Sequence, residues 1–83
     1  MTLEELAKAA LAKQDAAKSV DAVNAWGKLR LMILDDALDA PQLYQYALDK
    51  AAHLDGQAKR YANNARLWER IADWLKAQEV RHA

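Results

Sequence analysis

The chain has 83 residues, with 12 basic and 12 acidic side chains and no cysteine. The absence of cysteine excludes disulfide scaffolds, thiol chemistry and cysteine-ligated zinc or iron–sulfur sites. The zero net charge gives no overall attraction to nucleic acid or to an anionic membrane surface.

We expect one small cytoplasmic domain that spans residues 1–83. The longest run of large apolar residues, 31–34, is far shorter than the about 20 residues that cross a bilayer. Glu4 and Glu5 stand where a signal peptide carries positive charge. The chain has only two Gly and one Pro, and no segment alternates apolar and polar residues as a strand does. Its commonest residues are good helix formers, so we predict an all-α fold.

Two helices are predicted before residue 40. Residues 2–18 form a weakly amphipathic helix, and Ser19 is placed to cap the helix that follows. Residues 20–38 carry apolar side chains around more than half of the helix circumference, which is typical of a helix buried by several neighbours. We therefore expect 20–38 to be the central helix.

Pro41 marks the clearest break in the chain. It lacks an N–H and cannot continue the preceding helix, but it suits the first turn of the next one, with Asp39 or Ala40 as the cap. Beyond it, small and large apolar residues recur at steps of three and four, straight through Gly56: Ala51, Leu54, Ala58, Tyr61, Ala65, Trp68, Ala72 and Leu75. This heptad spacing favours one long helix over 41–78. If Gly56 instead caps a helix, a fourth helix follows it.

The predicted fold is an antiparallel helical hairpin or bundle of three, alternatively four, helices that is completed by dimerisation. The segment 67–75 is apolar around nearly half of its circumference, and one hairpin has too few elements to hide it together with 20–38. Either the first helix folds back over this surface or a second copy of the chain covers it. We favour a homodimer.

The leading functional hypothesis is a small protein–protein interaction module, such as an adaptor, inhibitor or regulatory subunit. It would bind its protein partner through a helix face formed by Leu67, Ile71 and Trp74. Tyr46 is a further candidate contact, because exposed Tyr and Trp are favoured anchors at interfaces. The competing interpretation is that the first helix of the same chain buries these side chains.

A basic helix face provides the first alternative. Lys59, Asn63, Arg66 and Arg70 share one side of the predicted long helix, and Arg and Asn are side chains that read guanine and adenine edges. A nucleic-acid-binding regulator would use this face, and its binding would weaken with salt. The neutral charge of the chain and the lack of a helix-turn-helix glycine favour a solvated face instead.

A helical-bundle enzyme or metal-binding protein is the second alternative. Asp49 and His53 are four residues apart, which places them on one helix face where they could hold a metal ion or orient a base. No paired Glu-x-x-His motif, Gly-rich phosphate loop or G-x-S-x-G motif accompanies them. We therefore predict no enzymatic activity, cofactor or metal site, and interpret His53 as a surface residue beside Asp49.

Two further groups of polar residues allow two interpretations each. Acidic residues cluster between positions 35 and 55: Asp35, Asp36, Asp39, Asp49 and Asp55. They form either a solvated turn with Asp39 as a cap, or a patch for a basic partner. Asn24 and Asn64 fall on otherwise apolar helix faces. Each is either an amide at the edge of the core or a buried amide that fixes helix register or oligomeric state.

Overall fold

The computed structural model describes residues 2–35, 38–55 and 62–78. Every secondary-structure element in these ranges is an α-helix, which confirms the all-α prediction. The helices are α1 (Leu3–Ala16), α2 (Val20–Asp35), α3 (Ala40–Asp55) and α4 (Ala62–Ala77). None of these described helices is long and apolar enough to span a lipid bilayer.

A reciprocal pair of hydrogen bonds begins α1. The backbone N–H of Glu5 donates to Thr2 Oγ1 at 3.1 Å, and the backbone N–H of Thr2 donates to Glu5 Oε1 at 3.2 Å. This capping box satisfies N–H groups that have no partner inside the helix. The hydrogen bonds from the backbone and side chain of Thr2 favour the charged carboxylate and lower the pKa of Glu5.

Polar side chains also begin α2 and α3. Ser19 Oγ accepts a hydrogen bond from the backbone N–H of Ala22 at 3.1 Å. At the next helix, Asp39 Oδ1 accepts from the N–H of Gln42, and Gln42 Oε1 accepts from the N–H of Asp39, both at 3.0 Å. Pro41 lies in the first turn of α3, where its missing N–H leaves no helical hydrogen bond unmade. The predicted helix starts after Ser19 and around Pro41 are confirmed.

The four described helices form two antiparallel hairpins. α1 packs along α2, and α3 packs along α4. Three residues separate the first pair and six separate the second. At about 3.5 Å per residue, the first connection reaches about 10 Å and α1 is about 21 Å long, while the second reaches about 21 Å and α3 is about 24 Å long, so neither can run back along the helix that precedes it. The helices of each pair therefore run in opposite directions.

The prediction of one helix over 41–78 is wrong. A continuous helix would place α3 and α4 end to end, but they lie side by side. The buried residues of the predicted heptad are Ala51, Ala65, Trp68, Ala72 and Leu75. Both helices therefore bury a stripe of alternating small and large apolar residues. Such spacing indicates that a helix packs against a neighbour, but it does not show where the helix ends. Gly56, Ala58 and Tyr61 lie outside the described residues.

Apolar side chains from both hairpins form one core. None of the buried side chains in the described ranges is polar or charged. Trp26 of α2 meets Trp74 of α4 edge-on, with ring centroids 5.2 Å apart. Tyr46 of α3 meets Trp68 of α4 with centroids 5.6 Å apart. Alanine supplies much of the remaining core, so these large rings fill the space that the alanine side chains leave.

Ile71→Ala is expected to destabilise the fold by about 2–4 kcal/mol, because Ile71 is 0 % exposed and its truncation leaves a cavity. Leu48→Ala is the matched control. Leu48 is 37 % exposed, so its truncation should cost less than about 1 kcal/mol. Urea unfolding followed by circular dichroism measures both changes in the free energy of unfolding. Equal losses in the two variants would contradict the burial of Ile71.

Glu5→Gln is expected to remove a pH-dependent contribution to stability. Because the folded-state pKa of Glu5 is lowered, its carboxylate stabilises the fold above the ordinary pKa of 4.5. That contribution is lost as the pH falls through the lower folded-state pKa. Thermal unfolding midpoints, measured from neutral pH into the acid range, should therefore fall less in this variant than in the unchanged chain. Glu4→Gln, outside the capping box, is the control and should follow the unchanged chain.

Candidate functional site

The four residues predicted to bind a partner do not form an exposed face of the folded chain. Ile71 is fully buried, while Tyr46, Leu67 and Trp74 are half-buried against the core. The contact between Trp74 and Trp26 shows that α2 covers part of this side of α4. We therefore reassign Ile71 to the core, because the helices of its own chain bury it. The competing interpretation named the first helix as the cover, whereas at Trp74 the covering helix is α2.

The exposed apolar surface lies on α2 instead. At 100° per residue, Val20, Val23, Gly27, Leu31 and Leu34 fall within an arc of about 80°, which we call the outer face of α2. Val20 is 76 % exposed, Val23 is 37 % exposed, and Leu31 and Leu34 are each 51 % exposed. The buried residues of the same helix lie on its opposite side: Ala25, Trp26, Leu29, Met32 and Ile33. The sequence analysis missed this face. A helical wheel of α2 places the exposed apolar residues and the buried apolar residues on different sides, and this separation would have indicated the face.

Gly27 lies at the middle of the outer face of α2, where a side chain from α1 crosses it. Gln14 Nε2 donates a hydrogen bond to the backbone oxygen of Val23 at 3.2 Å. A Cβ atom added at Gly27 would stand 2.6 Å from the same nitrogen. Glycine thus allows the close approach of Gln14 to the α2 backbone. Val23 and Leu31 line the shallow groove of about 380 Å³ that contains this crossing.

Three of the four residues of the predicted nucleic-acid face lie together. Asn63, Arg66 and Arg70 line a shallow pocket of about 280 Å³ between α4 and the beginning of α2. Asp21 lines the same pocket, so a carboxylate offsets part of its positive charge. Lys59 lies outside the described residues. Nucleic-acid binding by this face stays a prediction.

The Asp49 carboxylate is engaged within α3. Its Oδ1 atom accepts a hydrogen bond from Gln45 Nε2 at 2.8 Å, and His53 is exposed on the same helix. The described ranges contain no group of three or more His, Cys, Asp or Glu side chains that could hold a metal ion. Asp39 caps α3, as one interpretation of the acidic cluster expects, whereas Asp36 lies outside the described residues.

A cleft lies between the two hairpins, and we call it the inter-hairpin cleft. It has a volume of about 300 Å³ and is lined by side chains from three helices. They include Asn24 and Lys28 of α2, Tyr46 and Lys50 of α3, and Asn64 and Trp68 of α4. Asn24 is exposed and Asn64 is half-buried. Asn64 therefore lies at the edge of the core, and neither residue is a buried amide within the chain.

Comparisons with known proteins reveal no relationship. No protein-family model, no curated protein and no solved structure matches the chain.

Gly27→Ala is expected to stabilise α2 by up to about 1 kcal/mol when Gln14 is absent, because Ala has the higher helix propensity. In the unchanged chain the new methyl group displaces Gln14 from its hydrogen bond to Val23, which offsets part of that gain. Urea unfolding of both single variants and the Gln14→Ala/Gly27→Ala double variant measures the difference. The same effect of Gly27→Ala in both backgrounds would show that Gln14 does not cross Gly27.

Proposed function

We propose that this protein is a small helical interaction module that binds through the outer face of α2, and that its partner is a second copy of the same chain. The observation that carries the proposal is a row of exposed apolar side chains on one helix: Val20, Val23, Leu31 and Leu34. No charged residue lies within their arc. Exposed apolar residues on soluble proteins are commonly scattered singly, so a row that follows a helix for four turns favours a docking surface.

A second copy fits this face because its apolar residues are spaced symmetrically on the two sides of Gly27. Val20 and Leu34 are each seven residues from Gly27, and Val23 and Leu31 are each four residues from it. Two α2 helices in antiparallel contact would set Val20 against Leu34 and Val23 against Leu31 on both sides of a two-fold axis at Gly27. The Gln14 side chains, which cross the face at Gly27, would lie at that axis. An isologous dimer requires such self-complementarity. The chain also carries no net charge, so two copies approach without net repulsion.

The size of the face indicates a weak dimer. From Val20 to Leu34 it is about 21 Å long, and one helix face of this length provides less than the roughly 800 Å² per partner of a standard stable interface. Complete burial of a Val or Leu side chain stabilises by about 1.5–3 kcal/mol, and these side chains are already partly covered. The loss of translational and rotational freedom opposes association. We therefore expect a dissociation constant in the micromolar range or weaker.

Sedimentation velocity at increasing protein concentration is expected to show a monomer in equilibrium with a dimer. Leu31→Glu places a charge within the outer face of α2 and should leave a monomer at every concentration. Leu48→Glu is the matched control, because Leu48 is 37 % exposed but lies on α3. That variant should dimerise like the unchanged chain, and circular dichroism establishes that both variants are folded.

Cysteine cross-linking tests the orientation of the two helices. Because the chain has no cysteine, each substitution reports only its own position. A mixture of Val20→Cys and Leu34→Cys chains should form a disulfide-linked dimer, whereas neither variant alone should cross-link efficiently to itself. A chain that stays monomeric at millimolar concentration, or a dimer that withstands Leu31→Glu, would contradict the proposal.

A further inference from the structure

The inter-hairpin cleft shares no residue with the outer face of α2. Helices α2, α3 and α4 all contribute side chains to it. Its volume of about 300 Å³ is at the lower end of the range for small-molecule sites in proteins. The cleft is therefore large enough for a small molecule.

The floor of the cleft is apolar and aromatic. Tyr46 is half-buried and Trp68 is 4 % exposed, and their rings meet edge-on with centroids 5.6 Å apart. Ala25 and Leu54 line the cleft beside them. A planar apolar ligand would bury its surface against these groups, and its ring could meet the Tyr46 ring edge-on or in an offset stack.

The rim of the cleft carries amide and ammonium groups. Asn24 and Asn64 provide hydrogen-bond donors and acceptors, and Lys28 and Lys50 provide positive charges from two different helices. Within the described part of the chain, no hydrogen bond or ion pair engages these four side chains. Asp21 also lines the cleft, but it lies two turns before Lys28 on α2, about 10 Å along the helix axis. The end of the cleft at Lys28 therefore keeps a positive charge.

We infer that the inter-hairpin cleft binds a small aromatic molecule that carries one negatively charged group, such as an aromatic carboxylate. The ring lies against Tyr46 and the edge of Trp68, and the anionic group lies towards Lys28, while Lys50 adds a second positive charge to the rim. One negative charge fits better than several, because the carboxylate of Asp21 would repel a second anionic group within the same cleft.

Naphthalene-2-sulfonate, which has two fused rings and one permanent negative charge, is the probe that tests this inference. We would titrate it into a Leu34→Glu variant, which places a charge on the outer face of α2 but is six residues from Lys28 and does not line the cleft. In ¹H–¹⁵N spectra, the side-chain signals of Asn24, Asn64 and Trp68 should shift and reach saturation. The uncharged naphthalene-2-sulfonamide should bind about fivefold to tenfold more weakly, because it makes no ion pair with the two lysines.

Two double variants with the same loss of charge complete the experiment. Lys28→Gln/Lys50→Gln should weaken binding of the sulfonate about fivefold to tenfold. Lys8→Gln/Lys13→Gln removes two positive charges from α1 and should leave its affinity unchanged. Equal weakening in both variants, equal affinity for the two probes, or shifts confined to residues outside the cleft would overturn the inference. Because the assay uses a chain with an altered outer face, its result does not depend on dimerisation.

Discussion

The contact between Trp26 and Trp74 joins two hairpins that are otherwise packed mainly within themselves. Alanine side chains let the helices within a hairpin approach closely, but they are too short to fill the space between one hairpin and the other. The two indole rings, 5.2 Å apart, reach from α2 to α4 and supply apolar area there. Both candidate surfaces follow from this arrangement. The inner side of α2 is turned towards α4, so its outer face is left exposed except where Gln14 of α1 crosses it at Gly27. The cleft lies where α2, α3 and α4 do not close completely.

Local signals in the sequence predicted most of the secondary structure. Ser19 and Asp39 stand at helix starts because their side chains accept hydrogen bonds from backbone N–H groups that the helix leaves unpaired. Pro41 identified the start of α3 for an equally local reason, its fixed backbone angle and missing N–H. The end of α3 was missed because the seam spacing in α4 continues that of α3. A heptad pattern shows which side chains pack against a neighbouring helix. Because α3 and α4 pack against each other, both carry this pattern, and it does not mark the boundary between them.

The candidate surfaces were harder to predict because they depend on which helix covers which arc. The number of apolar residues correctly indicated that α2 is a central helix. It gave no reason to separate Val20, Leu31 and Leu34 from Leu29 and Ile33, and all five were expected to be buried. The first three are exposed and the last two are buried. Similarly, Ile71 belongs to a wide apolar face in sequence, yet neighbouring helices cover it. The cleft could not be derived from spacing at all, because its lining residues come from three helices and are brought together only by tertiary packing.

The capping interactions also bear on the order in which the chain folds. The caps at the starts of α1, α2 and α3 each join residues only three positions apart, so every one of these helix starts is specified within a single turn. The first hairpin is complete in sequence at Asp35, and a growing polypeptide can assemble it before the second hairpin leaves the ribosome. During that interval Trp26 has no Trp74 to meet. Until α4 has emerged, the Trp26 side chain therefore lacks the aromatic contact that helps to cover it in the folded chain.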